Sequence, residues 1–124
     1  MIYELRMYTT RAGRMKEVVN ASATVAQSIR DGDTYGKLIG HWWSSIGRLN
    51  QYVHMWEYKD VEEMRKLRSE LSQLEDWRKK FIPLVAPHIL TQKIRILRPA
   101  VTFRKPPVSY THLRAHETEA DGVC

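Results

Sequence analysis

Residues 51–58 read QYVHMWEY, and their alternation constrains the fold more than any other stretch. A strand points successive side chains to opposite faces, so Val53 and Met55 share one face and Tyr52, His54, Trp56 and Tyr58 share the other. Upstream, KLIGHWWSSI (Lys37–Ile46) reads as a second strand, and GRLN (Gly47–Asn50) is the turn that joins the two as a hairpin. Trp42 and Trp43 then fall on opposite faces of that second strand.

Helical patterns flank the hairpin. IYELRMYT (Ile2–Thr9) is a first strand, turned by Arg11–Gly13 into a helix on which Met15, Val18, Val19, Ser22, Val25, Ala26 and Ile29 recur at three and four. Gly32 and Gly36 in DGDTYG break it. After the hairpin, Asp60 caps a second helix, with Glu63 placed for a capping box. Met64, Leu67, Leu71 and Leu74 line its buried face, and the helical pattern runs on through Trp77 and Phe81 to Pro83. Thr91–Leu97 is the closing strand, ended by Pro99. The order β-α-β-β-α-β is the ferredoxin-like split arrangement: an α+β fold with a four-stranded antiparallel sheet and both helices on one face. The spacing places this domain at residues 1–99, with 100–107 as an extension.

Two helices cover one face of such a sheet. The aromatic face of the hairpin is then expected to lie open, too apolar to meet water comfortably. A second copy on a two-fold axis would cover it, giving a dimeric α/β barrel with a cleft between two sheets.

The net charge of +6 invites a nucleic-acid reading, but the basic residues interleave with acids along helices (KEVV, EEMRKLRSE, EDWRKK), the pattern of a solvated face. No nucleic-acid partner is expected. The one cysteine is Cys124, so the body has neither disulfide nor thiol chemistry and fits a reducing compartment. With no signal sequence or long apolar run, a cytoplasmic location and no transmembrane segment are expected; a mitochondrial location is the alternative if the chain is a eukaryotic fragment. Val108–Thr118, VSYTHLRAHET, back-translates in one frame into the end of a common sequencing adapter and its adjoining primer segment. Residues 108–124 are therefore expected to be a non-native, adapter-derived and disordered tail, and are set aside from fold reasoning.

The remaining residues resemble the NIPSNAP family. MIYELRMYTTRAG is similar to the family's opening strand and turn. GKLIGHWWSSIGRLNQYVHMWEYKD is similar to its central hairpin, where GRLNQYVHMWEY is the most specific run, and IRILRP to its closing strand. The resemblance spans residues 1 to about 99 and implies the same ferredoxin-like, dimeric α/β-barrel arrangement. It implies little about activity. Animal members resemble mitochondrial proteins tied to vesicle traffic and autophagy-factor recruitment, usually with a leader and two such domains; bacterial single-domain members, the closer likeness, have no settled activity. The chain departs from the pattern at Ser45, where an acidic residue usually precedes Ile-Gly.

The candidate ligand-binding residues are Glu4, Arg6, Tyr8, His54 and Trp56. Glu4, Arg6 and Tyr8 share one face of the first strand, either as a surface set or as a polar lining able to hold a small ligand. His54 alternates with Trp56, as a satisfied core histidine or as a general base or ligand contact. His41 sits across the hairpin on a face that a bulge at Gly40 would flip, and with His54 it could hold a metal only from the same side. No carboxylate or cysteine at ligand spacing supports that, and no phosphate-binding Gly loop, Ser-His-Asp set or nucleotide fingerprint occurs. No metal, cofactor or catalytic set is therefore expected.

Two functions remain open. One is a small homodimeric binding or interaction module, non-catalytic, whose apolar cleft takes a small apolar ligand or a protein partner. The alternative is a cofactor-independent oxygenase-like or isomerase-like enzyme acting on a small aromatic or apolar substrate. The second requires polar groups converging on a pocket of roughly 300 Å³ or more; in the first, the chain's own tryptophans can fill the space.

Overall fold

The computed structural model describes residues 1–100, so both the last residues of the extension and the stretch read as adapter-derived lie outside the described residues. Strands β1 (Ile2–Thr10), β2 (Lys37–Trp43), β3 (Gln51–Tyr58) and β4 (Ile89–Leu97) form one antiparallel sheet in the order β2-β3-β1-β4. Between β1 and β2, α1 (Met15–Ala21) runs through a π-helical turn (Ser22–Ala26) into α2 (Gln27–Arg30). Between β3 and β4, α3 (Val61–Gln73) is followed by a second π-helical turn (Trp77–Phe81) and α4 (Ile82–Val85).

Local chemistry explains the boundaries. Asp60 Oδ1 accepts the Glu63 N–H at 2.8 Å, and Glu63 reaches back to the Lys59 N–H, one residue before the cap itself. Asp31, at φ 54, ends α2 in the left-handed conformation. β2 stops at Trp43, short of the expected Ile46, and the hairpin loop leaves Ile46 almost wholly exposed.

The sheet is open. β2 and β4 are free edges, and the sheet does not close into a barrel, which corrects the expected dimeric α/β barrel. The assignment of faces is corrected too. Tyr52, His54, Trp56 and Tyr58 are all buried, and Trp56, Tyr58 and Ile2 pack beneath Val61, Met64 and Leu67 of α3. The aromatic face lies under the helices. Alternation separates two faces but does not say which one the helices take, because both carry apolar residues. The uncovered face instead carries Leu5, Met7, Val53 and Met55, half-buried, with exposed Trp42 beside them.

The core has two parts. One joins Ile2, Trp56 and Tyr58 to α3; the other joins Ala21, Ala26, Phe81 and Val85, with Val25, Ile29, Trp77 and Ile89 around them. A cavity touches both parts.

Candidate functional site

That cavity, about 390 Å³, lies between the sheet and the helical layer of a single chain. It is not a cleft between two sheets. Strand register brings its polar wall together. Arg6 pairs directly with His54, Tyr8 with Tyr52, and Glu4 with Trp56, while His41 pairs with His54 from the other side. Direct cross-strand partners share a face, so all of these side chains point to the helices. A bulge between Leu38 and Gly40 sets the phase of β2 and puts His41 on the face of His54. Both π-helical turns reach the same cavity, through Ser22 and Ala26 on one side and Trp77 and Phe81 on the other. Such turns add a residue to the helical repeat and are frequent at functional sites.

His54 is held from three directions. Its Nδ1 accepts the Trp56 indole N–H at 2.7 Å, Tyr52 stacks on it with centroids 5.2 Å apart, and Tyr8 meets it edge-on at 4.9 Å. Indole nitrogen is a donor only, so Nδ1 is bare and the proton of the neutral ring sits on Nε2. Nε2 is buried and has no hydrogen-bond partner among the described residues. Burial pushes the His54 pKa well below 6.5, and the positive charges of Arg6, Arg68 and Arg30 push it further the same way. The ring is therefore neutral at pH 7 and carries its proton on Nε2. With Nδ1 occupied and the proton on Nε2, the ring in this arrangement is a donor rather than a base.

Glu4 is 3% exposed. It takes the Arg6 guanidinium at 3.2 Å on one oxygen and lies 3.5 Å from Arg68 Nε on the other. Arg6 Nε also donates to the Tyr8 hydroxyl at 2.8 Å. Glu4 thus orients Arg6 and Arg68 rather than lining the cavity, whereas Arg6, Tyr8, His54 and Trp56 line it directly. His41 lines it as well, its Nδ1 2.8 Å from the Tyr52 hydroxyl. No group of three or more His, Cys, Asp or Glu residues among the described residues could hold a metal ion.

Sequence reasoning passed over Arg30, Arg68 and Trp77. Arg30 is 3% exposed, with its guanidinium carbon 3.7 Å from the Trp56 ring centroid and 5.1 Å from that of Trp77. Burial and the neighbouring Arg68 lower its pKa to about 10. An arginine closing an otherwise apolar helix stripe was the available signal, but it also suits the basic last turn of any helix.

The NIPSNAP family model matches residues 3–103. Human Protein NipSnap homolog 2 is 31% identical over 101 residues, 82% of this chain but 34% of that protein; human Protein NipSnap homolog 3A is 28% identical over 115 residues, 86% of this chain and 43% of that protein. The chain therefore spans between a third and a half of the length of these curated relatives. Among solved structures, a NIPSNAP family protein from Agrobacterium tumefaciens is 32% identical with a TM-score of 0.74, covering 85% of this chain and 96% of that one. An uncharacterized NIPSNAP domain protein from Burkholderia xenovorans is 28% identical with a TM-score of 0.76, covering 85% and 100%. An antibiotic biosynthesis monooxygenase, 12% identical with a TM-score of 0.56 over 82% and 100%, shares the fold alone.

Proposed function

The chain belongs to the NIPSNAP family, and we propose that it binds a small, largely apolar molecule in the cavity between sheet and helices and acts on it as an isomerase-like or oxygenase-like enzyme. One observation carries this reading. A cavity of about 390 Å³ is lined by His54, whose buried Nε2–H has no partner among the described residues, where a binder filled by its own tryptophans would have no such space. The volume lies in the range of small-molecule sites, with few polar groups on an apolar wall.

The chemistry follows from protonation. A neutral imidazole N–H in a dry site polarises a carbonyl and stabilises the enolate oxygen that forms from it. Arg6, Arg30 and Arg68 add a positive potential around that oxygen. The proton leaving carbon goes to His41 on the same wall, in the tautomer whose Nδ1–H donates to the Tyr52 hydroxyl and leaves Nε2 bare. An enolate so formed either returns the proton at another atom, as in an isomerase, or reacts with dioxygen. The site roles of Arg6, Tyr8, His54 and Trp56, with Glu4 as the orienting carboxylate, belong to this proposal.

Deuterium wash-in at the benzylic carbon of phenylpyruvate, followed by proton NMR in D₂O, tests it. Exchange accelerated by the wild-type chain and lost in His54→Gln is the expected result. Saturable binding without acceleration returns the chain to the class of non-catalytic binding modules.

The uncovered sheet face, with Leu5, Met7, Val53, Met55 and Trp42, is proposed as the surface on which a second copy packs. Residues 1–99 are proposed as the folding unit and 108–124 as an adapter-derived addition whose deletion leaves the melting temperature unchanged. No helix among the described residues is long and apolar enough to cross a membrane. A cytoplasmic or a mitochondrial compartment accords with that equally.

A further inference from the structure

The cavity wall carries more positive charge than the described residues neutralise. Arg6, Arg30 and Arg68 all line it. Glu4 is the carboxylate that meets them, and it serves Arg6 and Arg68. Arg68 keeps some access to water, its side chain 23% exposed, and Arg6 is paired. Arg30 has no carboxylate partner among the described residues: it is 3% exposed, and its Nη1 is buried without a hydrogen-bond partner among them. Lowered only to about 10, its pKa leaves it charged at neutral pH.

The two indoles explain how an unpaired cation is tolerated and what it still lacks. Trp56 and Trp77 offer their rings to the guanidinium as cation–π partners. They do not accept its N–H bonds, which lie in the guanidinium plane and suit a planar two-oxygen anion. A buried charge without an in-plane partner is costly unless something supplies one. A second buried donor without a partner among the described residues, His54 Nε2–H, belongs to a residue of the same wall. The remaining wall includes Val18, Leu38, Leu71, Phe81 and Val85.

We propose that the cavity is a site for a small aromatic carboxylate, its carboxylate held by Arg30 and its apolar body by the aliphatic and aromatic wall. This rests on the pocket reading above and adds the ionic class of the ligand. A carboxylate is favoured over a phosphate because the uncompensated, fully buried charge is a single guanidinium.

Isothermal titration of the full chain at fixed ionic strength and pH 7.5, with 1-naphthoate, 1-naphthamide and 1-naphthyl phosphate as probes, tests it. The expected result is that naphthoate binds at least tenfold more tightly than its isosteric amide. Arg30→Gln then lowers naphthoate to the affinity of the amide, which itself moves less than about twofold, and Arg30→Lys retains part of the preference. If Arg30→Gln fails to melt cooperatively, the wild-type acid-to-amide ratio and Arg30→Lys decide. Equal binding of acid and amide overturns the anion assignment and leaves the pocket reading standing. Tightest binding of the phosphate overturns the carboxylate class. Binding of none of the three at millimolar concentration removes the pocket reading and this inference with it.

Discussion

The indole N–H of Trp56 donates to Nδ1 of His54 at 2.7 Å, and this one bond decides which imidazole nitrogen carries the ring proton. Removing the donor should release the tautomer. Nitrogen-15 NMR of His54 in the wild-type chain should show Nε2 protonated and Nδ1 bare at neutral pH. In Trp56→Phe both tautomers should be populated. Stability should also fall by about 1–3 kcal/mol, because Nδ1 becomes a buried acceptor without a partner. A wild-type ring protonated at Nδ1 contradicts the donor assignment.

Stability should depend on pH through the same residue. The folded-state pKa of His54 is depressed by burial and by Arg6, Arg68 and Arg30. The unfolded chain, with an ordinary histidine near 6.5, therefore binds a proton that the folded chain refuses. The His54 contribution is intact above about pH 6.5. It is lost as pH falls from there towards the folded pKa, with a slope of at most about 1.4 kcal/mol per pH unit. Denaturant titrations from pH 8 to pH 5 should show this decline in the wild type and a shallower one in His54→Gln. Parallel curves would remove His54 from the account.

Element order was legible in the sequence because each element carries a local signature: alternation in β3, three-and-four spacing in α1, Asp60 and Glu63 at the start of α3. The choice of covered face was not legible. It depends on which surface the helices meet, a tertiary matter, and Leu5, Met7, Val53 and Met55 are as apolar as the aromatic set. That ambiguity produced both the inverted face and the barrel. Glu4, Arg6, Tyr8, His54 and Trp56 could still be grouped, since their mutual alternation holds whichever face is covered. Arg30 and Trp77 come from helical segments, and only the packing of those segments brings them to the strands.

Two glycines separate strain from crowding. Gly36 has φ +121, and a Cβ there would lie 2.7 Å from the ring of Tyr58, itself 1% exposed. Neither the backbone nor the buried ring can yield cheaply, so Gly36→Ala should cost about 2–4 kcal/mol, combining left-handed strain with overpacking. At Gly40 the backbone is ordinary and a Cβ would lie 2.6 Å from Trp42. Trp42 is about half exposed and can swing away, so Gly40→Ala should cost less than about 1 kcal/mol. Urea midpoints of the two variants measure the contrast; equal losses would mean that the Trp42 ring is locked in place.

The uncovered sheet face yields the last prediction, and it discriminates between two substitutions on one strand. Met55 is half-buried on the open face, whereas Trp56, its neighbour, is 4% exposed beneath the helices. If a second copy packs on the open face, Met55→Asp places a charge inside that interface. In the separate chain the same carboxylate remains in contact with water. Burying an unpaired charge costs several kcal/mol, and each 1.4 kcal/mol is tenfold in affinity, so the dimer should weaken by about 100-fold or more. The fold should survive. Trp56→Asp should act differently, unfolding the chain rather than dissociating it, because it removes a buried indole from the core beneath α3 together with the donor that bonds His54. Light scattering joined to circular dichroism reads both outcomes. A wild-type chain that stays monomeric at micromolar concentration, or a Met55→Asp variant that keeps twice the monomer mass, means the open face is not where two copies meet.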